Sequence, residues 1–74
     1  MNDFDYRDII ANWHNGNRRA AAAALEAGGA VVTAVTFTQG QEDGLLSTED
    51  VLRITNFLLS RQLHRNRFDA GAAS

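Results

Sequence analysis

The chain has 74 residues and a mass of 8.1 kDa, room for one small domain and not for two, since domains centre on about 100–150 residues. Hydrophobic residues make up 45% and charged residues 22%, a balance that supports a folded core and excludes a disordered chain. Cysteine is absent, which removes disulfides, thiolate metal sites and cysteine nucleophiles together.

The net charge of −2 is unevenly spread. Residues 41–50 carry Glu42, Asp43, Glu49 and Asp50 and no base, whereas from Arg53 onward Arg53, Arg61, Arg65 and Arg67 face a single acid, Asp69. The chain has an acidic waist and a basic end. All seven cations are arginine, lysine and proline are missing and alanine is abundant, the habit of a GC-rich bacterial or phage coding sequence. No uninterrupted apolar run reaches the roughly 18 residues of a membrane span. The acidic start MNDFDYRD is the opposite of a signal peptide's basic one. A cytoplasmic protein without a membrane partner is expected.

Tyr6, Ile9, Ile10 and Trp13 recur at i, i+3, i+4 and i+7, which gathers them on one face of a first helix. Asp5 is placed to cap it, because a carboxylate there accepts from the free amides of the first turn. Phe4 and Ile9 then have the spacing of a hydrophobic staple. The helix should stop near His14 or Asn15, where Gly16 can take the left-handed conformation of a C-terminal cap.

Asn17 is placed to cap a second helix over residues 18–27, whose run of alanines is strongly helix-forming. Gly28-Gly29 should end it. Its small side chains require close packing, with the Trp13 face as the natural neighbour, giving a helical hairpin. Residues 30–38 read two ways. Val31, Val35 and Phe37 alternate with threonine as in a strand, whereas Val31, Ala34, Val35 and Thr38 share a helical face. A lone strand has no partner in this chain for its backbone groups, so a helix is expected. The alternative is an α+β fold in which 31–37 pairs between subunits.

Residues 40–44 form a polar loop. Beyond it Ser47 caps a last helix, with Asp50 three positions on completing a capping box and Glu49 favoured by the helix dipole. This helix should run from Thr48 to between Leu63 and Arg67. At about 100° per residue, Val51, Ile54, Phe57 and Leu58 form one apolar sector and Leu52, Leu59 and Leu63 a second beside it. Only Arg53, Asn56, Ser60, His64 and Arg67 make a polar strip. The expected fold is all-α, a bundle of three to four short helices over residues 1–68, with 69–74 a disordered tail.

Chemistry-bearing patterns are sparse. The segment around Asp43, Gly44, Ser47, Glu49 and Asp50 resembles the second half of an EF-hand loop. With Gly44 at its sixth position, however, the first and third fall on Gln39 and Gln41, so two carboxylates are missing. Residues 20–37 loosely resemble a helix-turn-helix whose reading helix would offer Thr33, Thr36 and Gln39 and no arginine. A pI near 5.5 opposes a strong nucleic-acid footprint. His14 and His64 read as surface or capping residues. Ser47, Thr48, Thr55 and Ser60 lack a base beside them, and GNRRA and GGA lack phosphate-cradle spacing. No catalytic residue, cofactor or metal is therefore expected.

So short a chain buries only about 60% of its unfolded surface, and one core of this size supplies about 3–5 kcal/mol. A helix apolar over two sectors exceeds what that core needs. The expected function is a non-enzymatic protein–protein interaction module, binding its own copy as a homodimer or another protein. The expected surface is Leu52, Asn56, Leu59 and Leu63, with Arg61, Arg65 and Arg67 orienting an acidic partner through their planar guanidinium forks. The alternatives are a small DNA-binding regulator and a degenerate calcium module.

Overall fold

The computed structural model describes residues 5–73, with side chains through Arg65. Its elements are α1 (Tyr6–His14), α2 (Arg18–Glu42) and α3 (Thr48–Ala73). The fold is all-α, and no strand occurs among the described residues. Residues 31–37 are helical, so the inter-subunit strand alternative falls.

The first helix forms as its sequence predicts. The Asp5 carboxylate accepts from the Arg7 amide at 2.9 Å, and Ile9, Ile10 and Trp13 are buried on one face. The staple residue Phe4 lies outside the described residues. Gly16 takes φ +90°. The Asn17 amide then reaches the Asn12 carbonyl at 2.8 Å and the Gly16 amide the Trp13 carbonyl at 3.2 Å, the paired bonds of a Schellman cap. Asn17 does stand before α2, but its side chain makes no capping bond. Its amide nitrogen instead donates to Asn12 Oδ1 at 3.4 Å, because the tight reversal turns it back towards α1.

The second helix differs from expectation at both ends of its middle. Gly28-Gly29 does not end it. The backbone departs from helix at Gly29 alone, φ +79° and ψ −166°, a region open almost only to glycine, and resumes helically at once. The interruption frees carbonyls of the preceding turn, and the Thr33 hydroxyl donates across it to the Leu25 carbonyl at 3.5 Å. The helix then continues past Thr38 to Glu42, so the first residues of the expected loop are helical. Gly40 is the reason. A β-carbon there would lie 2.7 Å from both Ile10 Cδ1 and Leu46 Cδ1, so its bareness is what lets α1 and the following loop close on this helix. Val32, Thr36 and Gly40, spaced by four, are buried, and the Thr36 hydroxyl is satisfied by the Val32 carbonyl at 2.7 Å.

A second Schellman cap closes α2. Gly44 takes φ +74°, and the Leu45 amide reaches the Gly40 carbonyl at 2.8 Å. Two bonds from α1 hold this turn: the Tyr6 hydroxyl donates to the Asp43 carboxylate, and His14 Nε2 meets the Leu45 carbonyl at 2.9 Å. The capping box of α3 is complete, with the Ser47 amide donating to Asp50 Oδ2 and the Asp50 amide to Ser47 Oγ, each at 3.1 Å. Helix α3 extends to Ala73, beyond the Leu63–Arg67 end that hydrophobic spacing suggests, since an alanine-containing stretch without proline offers little to stop it.

Ile9, Ile10, Trp13, Ala21, Leu25, Val32, Leu46 and Ile54 form the core, with Val51, Phe57 and Leu58 half-buried against it. Trp13 meets Phe57 edge to face, 5.6 Å between centroids. Replacing Gly29 with alanine should destabilise the fold by about 1–3 kcal/mol, and Ser47→Ala by about 0.5–2 kcal/mol. Urea unfolding followed by Trp13 fluorescence measures both. If Gly29→Ala were neutral, the break at that position would not be required.

Candidate protein-binding surface

The second half of α2 and the body of α3 run antiparallel and diverge into a groove of about 560 Å³. One wall is Ala30, Thr33, Ala34 and Phe37, and the other is Thr55, Leu58, Leu59 and Gln62. Each wall is one helical face at i, i+3, i+4 spacing. The groove forms because α1 packs on only one side of the α2–α3 pair. Val32 and Thr36 turn towards the core, while the alanines on the neighbouring face are too small to fill the gap to Leu58.

Beyond each wall the apolar surface continues. On α3, Leu52, Leu59 and Leu63 are 58%, 51% and 67% exposed, and Asn56 stands exposed among them. Leu59 belongs both to this stripe and to the groove. On α2, Ala34 joins the groove to Val31, which is 71% exposed, and to Val35. The sequence separates the two sectors of α3 correctly: Ile54 is buried and Val51, Phe57 and Leu58 half-buried, while the second sector faces outward. The α2 wall is a functional candidate that sequence reasoning did not connect to α3, although the shared face of Val31, Ala34, Val35 and Thr38 was visible in the spacing.

The arginines are placed differently from expectation. Arg61 Nε and a terminal nitrogen donate to the two oxygens of Glu26 at 3.0 and 3.1 Å, a bidentate fork within the same chain. Its side chain is only 28% exposed, and it also lies over the Phe57 ring at 6.0 Å. Arg61 thus ties α3 to α2 at one end of the groove. Arg65 reaches Glu26 more loosely, at 3.4 Å, and keeps 59% of its side chain exposed. The Arg67 side chain lies outside the described residues. Glu26 was not among the expected site residues; its isolation as the single acid of an alanine-rich stretch was the available signal.

The bond from Arg61 holds the Glu26 carboxyl below the usual carboxylate range, and the Ser47 amide does the same for Asp50.

The groups named by the other readings are occupied. Asp43 accepts from Tyr6 and Asp50 from the Ser47 amide, and among the described residues no three His, Asp or Glu side chains gather where they could hold a metal. Thr36, one of the three residues a DNA-reading helix would present, is fully buried, and Thr33 is turned to Leu25. Helix α2 is long and apolar enough, by length and composition, to cross a membrane, with mean hydropathy 1.6 over its best 18-residue window. That value comes largely from alanine and valine, and the backbone groups freed at Gly29 would need polar partners in lipid. Comparison with known protein families, with characterised proteins and with solved structures finds no match to this chain.

Glu26 and Asp50 give the stability a predictable acid limb. Both carboxyls ionise more readily folded than unfolded, so their contribution is complete above the ordinary carboxylate values near about pH 4. It is lost as pH falls through the lower folded values. Urea midpoints should therefore decline below that range, and the double variant Glu26→Gln, Asp50→Asn should decline less steeply. Equal slopes in the two proteins would refute the assignment.

Proposed function

We propose that this chain is a non-enzymatic protein–protein interaction module whose binding surface is the outer face of α3 together with the adjoining groove. The observation that carries the reading is the exposed stripe Leu52, Leu59 and Leu63. These three are half-exposed leucines on one face, and fully burying a leucine contributes about 1.5–3 kcal/mol. Covering them therefore offers about 3 kcal/mol, comparable with the entire core contribution of a domain this small. Contiguous apolar surface on this scale marks a docking face rather than scattered surface leucines. The pocket behind it gives an incoming apolar side chain somewhere to insert, as binding hot spots require.

In this reading Arg61 stiffens the rim instead of meeting the partner, because Glu26 already holds its fork. Arg65, which touches the same carboxylate more loosely at 3.4 Å, keeps 59% of its side chain exposed to a ligand.

Because Leu59 is half-exposed and lies outside the core, Leu59→Asp should lower monomer stability by about 1–2 kcal/mol, short of unfolding it, while abolishing association. A photoreactive side chain at position 63, irradiated in extract of the source cells, should give a discrete protein adduct that disappears when Leu59→Asp is added. The same group at Ala23, exposed on α2 and outside the groove lining, should give none. Unfolding of the monomer by Leu59→Asp, or adducts that ignore both the position and the substitution, would overturn the reading.

A further inference from the structure

We infer that the groove between α2 and α3 is a binding site for a small amphiphile, a linear apolar molecule ended by a carboxylate, its chain lying along the groove and its head at Arg65. This site stands apart from the protein-binding reading, which is carried by the outer leucine stripe: Leu52 and Leu63 do not line the groove.

Size and lining set the shape of the ligand. The volume of about 560 Å³ falls within the about 300–1,000 Å³ usual for small-molecule sites, which are mostly apolar, carry a few polar groups and often lie between helices. The α3 wall, from Thr55 to Arg65, is about 15 Å long at the rise of a helix. Spread over that length, the volume describes a trough about 6 Å across, room for one extended chain lying lengthwise. Ala30 and Ala34 leave that width open on the α2 side, Leu58 and Leu59 supply apolar contact opposite, and Phe37 stands at the end nearer the turn.

Charge gives the ligand its head and its direction. The charged groups among the described lining residues, Glu26 and Arg65, share the end away from the turn. Glu26 has little to offer a cationic head: Arg61 holds both of its oxygens at 3.0 and 3.1 Å, and its side chain is only 18% exposed. The same bond keeps its carboxyl ionised, below the usual carboxylate range. Two guanidiniums therefore share one negative charge, and the cluster keeps a positive excess. Arg65 is where that excess can be reached, since it gives one terminal nitrogen to Glu26 at 3.4 Å and stays 59% exposed. A guanidinium carries several further N–H donors, so a carboxylate can be received at Arg65 without opening the Arg61 fork. The other end, at Phe37 and Thr55, is uncharged and takes the tail.

Titration of the isotope-labelled intact chain with decanoate, below its micelle-forming concentration, should give saturable amide shifts at Ala30, Thr33, Ala34 and Gln62. Each methylene removed from the probe should weaken binding about fourfold. Decylammonium, with the same chain and the opposite charge, should bind at least about tenfold more weakly. Arg65→Gln should erase that difference while leaving the affinity for uncharged decanol and the helical circular dichroism unchanged. Ala34→Phe, at an exposed position, should fill the trough and abolish the shifts with the helix content retained. Equal binding of decanoate and decylammonium to the unaltered chain would overturn the carboxylate head at Arg65. Shifts confined to Leu52 and Leu63, shifts that survive Ala34→Phe, or no saturable shift up to about 1 mM would overturn the groove as the site. The position-63 adduct is independent of all these outcomes, so the protein-binding reading is decided separately.

Discussion

Trp13 is the side chain through which the three helices meet. It projects from α1, the Arg18 guanidinium of α2 lies over its ring at 5.1 Å, and Phe57 of α3 meets it edge-on. A groove separates α2 from α3 along part of their length, and the Arg61–Glu26 clasp together with the Trp13–Phe57 contact holds the hairpin together. Aromatic pairs of this geometry contribute about 0.5–1.5 kcal/mol beyond the area they bury. Ile10 acts in the same way a turn earlier, seated on bare Gly40 and against Leu46. The position of the exposed leucine face follows directly. Packing on one side of the α2–α3 pair buries one sector of α3, and among the described residues the opposite sector, Leu52, Leu59 and Leu63, is left exposed.

What could be read from the sequence was whatever depends on near neighbours in the chain. The Asp5 cap, the Gly16 reversal and the Ser47–Asp50 box are each decided within four residues, and all three are formed. The division of α3 into a buried and an exposed leucine sector follows from helical periodicity alone. The behaviour of Gly28-Gly29 and Gly40 did not follow, because glycine signals both the end of a helix and a place where another element comes close. At Gly40 the second meaning prevails, and only the approach of Ile10 and Leu46 reveals it.

The candidate surface was legible by halves for the same reason. Leu52, Asn56, Leu59 and Leu63 share one helix and one face, so local spacing finds them. The wall contributed by Ala30, Ala34 and Phe37, and the clasp of Glu26 on Arg61, depend on the antiparallel register of two helices joined by a turn. A residue such as Arg61, separated from Glu26 by 35 positions, carries no local mark of being already engaged. The consequence is a difference between two arginines that composition could not show: Arg61 rivets the scaffold, while Arg65 keeps most of its side chain exposed.

The interruption at Gly29 bears on the geometry of the groove, whose lining includes Gly29 itself. A continuous helix would make the groove's width a property of α2 itself, fixed by backbone rigidity. Here the two segments of α2 are joined by a single residue outside helical geometry, and Gly40 of the second segment closes against Ile10 of α1. The groove is lined by α2 and α3 alone, while α1 holds the second segment of α2 from outside that lining. Added bulk at Ile10 would press first on Gly40 and Leu46, the two positions that close against it.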